Sequence, residues 1–204
     1  MGARVRLDRH GWLALGGVLG FLALWAALRT PAIAGLDDWV AANLYDLGPR
    51  WVHAAKWIAH AGSFAGSLAI AVVLGGALYR LGRIAFPGLP LFVLLVWGTN
   101  SVLKLLVDRQ RPDVAFLMTV HGSSFPSGHA MAAAALGGAC AWLLCRRWPA
   151  ARALWIALGT AWMLGGGLAR VVLGVHHFSD IMAGYAAAAV LVAVYLHLAP
   201  RLSR

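Results

Sequence analysis

Hydrophobic residues occupy most of the chain, in long runs separated by short polar segments. A helix needs about 20 consecutive apolar residues to cross the hydrocarbon core of a bilayer. Six runs approach that length and contain few charges. They lie at 11–28, 62–79, 89–107, 128–145, 153–170 and 181–199. The pattern predicts an all-α fold, a polytopic membrane bundle of six transmembrane helices.

The segment 36–60 has helical periodicity but is not a span. Its apolar residues recur at helical spacing, and Pro49 is placed to open a second short helix. Asp37, Asp38 and Asp46 are predicted on the opposite, polar face. This pattern predicts a short interfacial helical hairpin after the first span. The hairpin serves either as a surface anchor at headgroup level or as a wall that guides a lipid into a site.

The N-terminal segment has some features of a signal peptide. An Arg-rich stretch at 4–9 precedes the run 11–28 and the small residues Ala32-Ile33-Ala34. That run is longer than the usual apolar core of about 7–15 residues, so we expect a retained first helix. No internal repeat or long linker divides the chain, and residues 1–204 are predicted to form a single membrane domain.

Composition supports a membrane protein. The chain is 61% hydrophobic and 12% charged, whereas soluble domains carry about 25% charged residues. The net charge is +10, but the basic residues are scattered between apolar runs and form no stripe for nucleic acid. Cys140 and Cys145 lie five apart on one predicted helix, where disulfide geometry is unfavourable, and are interpreted as apolar filler.

The distribution of basic residues predicts the orientation. One set of helix ends carries ten basic residues and the other carries seven. The ten are Arg4, Arg6, Arg9, Arg80, Arg83, Arg146, Arg147, Arg152, Arg201 and Arg204. The positive-inside rule places the side with ten in the cytoplasm, with both termini. We therefore expect an integral membrane protein with its outer connections on the periplasmic or extracellular side. Usage rich in alanine and arginine indicates a GC-rich bacterial genome, and hence a bacterial inner membrane.

Three polar clusters lie in or beside the second and third outer connections. They are Lys104-x6-Arg111-Pro112, Pro126-Ser127-Gly128-His129 and Arg170-x5-His176-x3-Asp180. Because charge in or beside a membrane span is costly, such residues indicate a functional site. Cations, histidines, a serine and a carboxylate on one membrane face predict a site that binds and attacks a phosphate.

The first cluster places two cations on one helix face. Lys104 and Arg111 are seven residues apart, so they point the same way two turns apart. Asp108 is spaced to pair with Lys104. The alternative is that these are ordinary cations snorkelling at a helix end, and that is our interpretation of Arg109.

The second cluster opens the fourth span. Ser127 is a favoured helix cap, and Gly128 lets another group approach the backbone. Free N–H groups and the positive end of the helix dipole attract an anion. His129 falls in the first helical turn, facing that anion. The alternative is an ordinary capped helix start with a chance histidine.

The third cluster places a carboxylate four residues after a histidine. Asp180 can accept a hydrogen bond from one imidazole nitrogen of His176 and leave the other as nucleophile or base. His177 competes for this role but lacks a partner at that spacing. A His/Asp set also suits a metal, but nearby cations repel a metal and attract a phosphate. We expect no metal.

These clusters resemble the signature of the type 2 phosphatidic acid phosphatase superfamily, K-x6-RP, PSGH and SR-x5-H-x3-D. The first two parts match fully, as Lys104…Arg111-Pro112 and Pro126–His129. In the third, Ala169 stands where the family has serine. The motifs cover residues 104–180, and six helices suit the membrane branch of the family.

The resemblance implies a role for each matching residue. His176 would attack phosphorus and form a phosphohistidine, oriented by Asp180, while His129 would protonate the leaving oxygen and later activate water. The phosphoryl oxygens would be bound by Lys104, Arg111, Ser127, Gly128 and Arg170. Because Ala169 replaces the family's serine, one hydrogen bond would be lost, and this loss is worth about tenfold in rate at most.

The expected function is metal-independent and cofactor-free hydrolysis of a lipid phosphate or diphosphate at the outer membrane face. Candidate substrates are a polyprenyl diphosphate, phosphatidylglycerophosphate, phosphatidic acid or a phosphorylated glycolipid. The alternatives are a phosphotransferase using the same phosphohistidine, and a lipid transporter or scaffold that only binds phosphate. A vanadate-dependent haloperoxidase has a similar anion site, but six spans argue against that soluble class.

Overall fold

The computed structural model of the protein describes residues 8–81 and 88–202, which form eight α-helices, a short 3₁₀ helix at Pro149–Ala151 and no β-strand. The helices are α1 (Arg9–Ala27), α2 (Pro31–Leu44), α3 (Pro49–Ala61), α4 (Phe64–Arg80), α5 (Gly88–Leu106), α6 (Gly128–Arg147), α7 (Arg152–Val172) and α8 (Phe178–Leu202). Arg4, Arg6, Arg83 and Arg204, which contribute to the predicted orientation, lie outside the described residues.

Five stretches of the described chain are long and apolar enough to cross a membrane, namely α1, α5, α6, the 3₁₀ helix with α7, and α8. The predicted span 62–79 appears as α4, which has 17 residues and passes the same test only together with α3. The two helices meet at a bend of 62°, so the described chain has five candidate spans, or six if this bent pair is counted as one span. The predicted all-α membrane bundle is confirmed.

The segment predicted as an interfacial hairpin folds as α2 and α3. Thr30 and Pro31 begin α2 as cap and first residue, and Pro49 begins α3. Large tryptophans on both helices are exposed, with Trp39 at 66% and Trp51 at 64%. Exposed indoles at this position suit the headgroup level of a membrane.

The core of the bundle is built around α6, which packs between α7 and α8. Small residues make this possible because they let backbones approach closely. At Gly137, a Cβ atom would lie 2.7 Å from the carbonyl oxygen of Gly159 on α7. At Gly184 on α8, it would lie 2.7 Å from the carbonyl oxygen of Ser127. The second contact holds the start of α6 against α8.

Helix ends on one side of the bundle carry the polar clusters. The ends of α5 and α7 and the starts of α6 and α8 meet there, joined by the connections 107–127 and 173–177. Phe125 is fully buried and packs with Val107, Phe21, Leu24 and Leu28. This apolar contact fixes the long connection just before α6.

Candidate active site

A cavity of about 360 Å³ opens among α5, α6, α7 and the two connections. It is lined by Trp97, Asn100, Ser101, Lys104, Arg111, Thr119, Val120, His121, Gly128, His129, Arg170 and His176. Six of the eight residues predicted for the site therefore share one cavity. The other two, Ser127 and Asp180, lie fully buried behind its wall.

Arg170, near the end of α7, is a buried cation with weak partners. It is 1% exposed, and its Nη1 contacts only the sulfur of Met118, at 3.0 Å. Its Nε has no hydrogen-bond partner in the described part of the chain. Within residues 8–81 and 88–202 no carboxylate forms an ion pair with it. A buried charge without a counterion is costly, and this guanidinium lines the cavity.

Lys104 and Arg111 are held by carbonyl groups of the long connection. Lys104 Nζ donates to the carbonyl of Ser123. Arg111 donates to the carbonyls of Val175 at 2.6 Å and His121 at 2.9 Å. Burial lowers the pKa of the Arg111 guanidinium, and the carboxylate of Asp180 opposes the shift. Both cations are therefore held at the cavity wall by hydrogen bonds to neutral carbonyl groups.

The predicted pair between Lys104 and Asp108 is wrong. Lys104 turns towards Ser123 instead, and Asp108 is exposed just beyond the end of α5. The helix stops at Leu106, before Asp108. The two side chains are therefore not brought together by one helical turn, as the prediction required.

The start of α6 presents its backbone to the cavity. Ser127 is the N-cap, and its hydroxyl accepts from the Ala130 N–H at 3.5 Å. That hydroxyl serves the helix and does not line the cavity, whereas Gly128 and His129 do. The His129 ring stands nearly perpendicular to the Trp97 ring, with centroids 5.7 Å apart. The helix terminus and one imidazole thus face the same space as Arg170.

Gly128 has no room for a side chain. A Cβ atom there would lie 2.6 Å from Asn100 Oδ1 and 3.0 Å from the Trp97 ring. Asn100 is itself buried and donates to the carbonyl of Pro126 at 3.2 Å. The close approach explains why glycine suits this position.

We expect Gly128→Ala to lower kcat/KM by about 10-fold or more, because the methyl group must displace Asn100 or the start of α6. Steady-state kinetics on the purified protein would check this. Gly76→Ala is the matched control, because a Cβ atom there meets nothing within 4 Å. Equal activity of the two variants would contradict the account.

His176 lies between the cavity and Asp180. Its Nδ1 is 3.5 Å from Asp180 Oδ2 and 3.4 Å from Ser124 Oγ. Ser124 donates to the same carboxylate oxygen at 2.5 Å. With Nδ1 directed at the carboxylate, Nε2 is the nitrogen left for chemistry at the cavity.

Burial of His176 lowers its pKa to about 4, and the cations Arg170 and Arg111 act in the same direction. The hydrogen bond and charge of Asp180 oppose the shift. At neutral pH the imidazole is therefore uncharged and keeps a free lone pair. A neutral imidazole is the form that can act as a nucleophile.

The competing histidine, His177, does not line the cavity. Its backbone N–H donates to Asp180 Oδ2 at 2.8 Å. Ala169, at the family's serine position, also lies outside the cavity lining and packs with Ala55, Ala59 and Leu173. A hydroxyl at this position would lie beside α3.

Two residues that sequence reasoning misjudged complete the surroundings of Asp180. Arg109, interpreted as a snorkelling cation, instead donates to Asp180 Oδ1 at 2.5 Å and Asp37 Oδ2 at 2.8 Å. Asp37, predicted on the polar face of the hairpin, is 3% exposed. Both interpretations are wrong because the connection after α5 folds back over α2, which local spacing does not reveal.

Comparisons with known proteins place the chain in a family. A family model described as the PAP2 superfamily matches residues 65–204. The chain belongs to the PAP2 superfamily. Phosphatidylglycerophosphatase B of Bacillus subtilis (strain 168) is 33% identical over 176 residues, which cover 82% of this chain and 85% of that protein. The PAP2 superfamily comprises the type 2 phosphatidic acid phosphatases that the three motifs resemble.

A solved PAP2 structure has the same fold. The crystal structure of the first transmembrane PAP2 type phosphatidylglycerolphosphate phosphatase, also from Bacillus subtilis, superposes with a TM-score of 0.81. Its sequence is 28% identical, and the match covers 95% of this chain and 98% of that one. The present chain is therefore a membrane-spanning PAP2 protein, and its helical bundle has an experimental counterpart.

Proposed function

We propose that this PAP2 protein is a lipid phosphatase that hydrolyses phosphate monoesters or diphosphates through a phosphohistidine on His176. The observation that carries the proposal is the buried guanidinium of Arg170, which has no carboxylate partner among the described residues and faces a cavity shared with His176 and His129. An uncompensated cation beside a neutral imidazole fits an anionic, electrophilic phosphorus centre.

In the first step, the Nε2 lone pair of His176 attacks phosphorus and the bond from phosphorus to the lipid oxygen breaks. His129, which also lines the cavity, donates a proton to that oxygen, and the lipid leaves as an alcohol or, from a diphosphate, as the monophosphate. Asp180 holds the Nδ1 side of the ring and stabilises its positive charge.

In the second step, water attacks the phosphohistidine and the bond between phosphorus and nitrogen breaks. His129 takes a proton from the water, so inorganic phosphate leaves and His176 returns to its neutral form. Lys104, Arg111 and Arg170 stabilise the phosphoryl oxygens in both steps, with the Gly128 amide at the start of α6. Ser127 contributes by capping that helix.

The proposed reaction needs no metal, because three cations already supply positive charge around the phosphate position. The only group of three potential metal ligands in the described ranges, Asp8, His10 and His197, lies where α1 begins and α8 nears its end. That position is on the side of the bundle opposite the cavity.

Phosphatidylglycerophosphate is the first substrate to test, because the two Bacillus subtilis relatives are named for it. A polyprenyl diphosphate and phosphatidic acid follow, since the cavity contacts predicted for the phosphate do not select a lipid tail. The basic residues at the opposite helix ends support a cytoplasmic location for the termini and an outer location for the cavity.

The experiment that tests the proposal is phosphate release by purified protein in detergent with EDTA, against these lipids and without any acceptor. We expect release from at least one lipid that EDTA does not reduce. Loss of release on adding EDTA would contradict metal independence. Transfer to an added lipid without acceptor-free release would indicate a phosphotransferase, and binding without turnover would indicate a transporter or scaffold.

The pH profile provides a further prediction. Because burial holds the pKa of His176 at about 4, the nucleophile stays neutral from pH 5 upwards and loses activity only as the pH falls through 4. The charged groups facing it are Asp180, Arg170 and Arg111. A phosphate monoester titrates near pH 6, so its contribution to kcat/KM is separable. If kcat/KM fell at low pH with an enzyme pKa between 6 and 7 that was the same for every substrate, the neutral buried nucleophile would be contradicted.

A further inference from the structure

The interfacial hairpin reaches the catalytic carboxylate through one arginine. Asp37 lies in the second turn of α2 and is buried, although its neighbour Asp38 is exposed. Its Oδ1 accepts from the Ser179 N–H at 2.8 Å, and its Oδ2 accepts from the Ser179 hydroxyl at 2.7 Å. The same Oδ2 accepts from Arg109 Nη2 at 2.8 Å. A single buried carboxylate thus binds the start of α8 and the connection after α5.

Arg109 joins this carboxylate to Asp180. Its Nη1 donates to Asp180 Oδ1 at 2.5 Å and to the Ser179 hydroxyl at 2.7 Å. The planar guanidinium has its donors in a fixed fork, so two partners define its orientation more strictly than one. Asp37 thereby sets the direction from which Arg109 meets Asp180.

The consequence for the nucleophile lies in how the oxygens of Asp180 are divided. Oδ1 is occupied by Arg109, while Oδ2 faces Ser124, the His177 N–H and His176 Nδ1. Without Arg109, only the donors to Oδ2 would hold the carboxylate, and its orientation towards the imidazole would be less strictly fixed. Outer partners that orient a catalytic side chain in this way affect the chemical step more than substrate binding.

We infer that Asp37 and Arg109 are positioning residues that act on His176 through Asp180, so that helix α2 of the hairpin is part of the catalytic apparatus. This inference rests on the proposed phosphatase function. The polar groups of the pair do not line the cavity, and neither residue touches the position of the phosphate. Their effect is therefore expected on kcat and not on KM.

The test compares Asp37→Asn and Arg109→Gln with the wild type and with Asp38→Asn, the exposed neighbour on the same helix. We expect kcat to fall by about 10- to 100-fold in the first two variants, as for loss of a hydrogen bond to a charged group. KM should stay within about threefold. The rate of phosphohistidine formation in a single turnover should fall in parallel, and Asp38→Asn should retain wild-type values.

The double variant Asp37→Asn/Arg109→Gln shows whether the two residues act on kcat as one unit or independently. If the two residues act as one unit, kcat of the double variant is no lower than that of the less active single variant. Unchanged kcat in the folded single variants, or a lower melting temperature with kcat retained, would overturn the inference. Absence of activity in the wild type on every lipid would instead refute the proposed phosphatase function.

Discussion

Replacing His176 with alanine is expected to lower phosphate release by at least about 10⁴-fold, because the reaction then has no nucleophile and no covalent intermediate. The side chain is 4% exposed and packs against Ser124 and Asp180, and its Nε2 side belongs to the cavity. No other imidazole of the cavity is backed by a carboxylate among the described residues. Rescue by a neighbour is therefore not expected.

The matched control is His177→Ala. This variant keeps the backbone N–H that binds Asp180 and removes a ring that does not line the cavity. We expect activity within about threefold of the wild type. Both variants should be compared in initial-rate assays on the best lipid substrate, after size-exclusion chromatography has shown that they are folded. Full activity of His176→Ala, or a loss in His177→Ala as large as in His176→Ala, would contradict the assignment.

The second large effect is expected at Arg170. Arg170→Gln should lower kcat/KM by about 10- to 150-fold or more, since a hydrogen bond to a charged group contributes about 1.5–3 kcal/mol. Arg170→Lys keeps the charge but loses the planar fork that fits phosphate, and should fall between the wild type and the glutamine variant. Arg152→Gln, at the exposed opposite end of α7, is the control.

Stability should not follow activity at this position. Arg170 is a buried cation without an ion-pair partner in the described chain, so its removal relieves a cost instead of breaking a stabilising bridge. We expect the melting temperature of Arg170→Gln to equal or exceed that of the wild type while phosphate release falls. A parallel loss of melting temperature and activity would show that Arg170 serves folding and not phosphate binding.

Hydropathy predicted the fold well because the bilayer imposes a length on every span. The spans at 89–107, 128–145 and 153–170 correspond closely to α5, α6 and α7, and the hairpin at 36–60 appears as α2 and α3. Because successive spans cross the membrane in opposite directions, the predicted spans also placed the three polar clusters on one side. The bend between α3 and α4 was not predicted, although the break falls at Gly62, the C-cap of α3, and Ser63, whose side chain caps α4.

The site was harder to predict wherever tertiary contacts decide the partner. Arg109 and Asp37 are 72 residues apart in sequence, and no local spacing links them. Ser124 precedes the Pro126–His129 motif and had no distinguishing signal, yet its hydroxyl binds Asp180. The one available hint was scarcity. The chain contains seven acidic residues, and a carboxylate in the apolar stretch of α2 could have been suspected of being buried.

The most direct test of the proposed mechanism is to trap the covalent intermediate. Protein mixed with a phosphate-labelled lipid substrate and quenched within one turnover should carry an acid-labile, alkali-stable phosphoryl group, which peptide mass spectrometry would locate on His176. The label should be absent in His176→Ala and should disappear as inorganic phosphate at a rate no slower than kcat. Turnover without any phosphoprotein, or with the phosphoryl group on another residue, would contradict the mechanism.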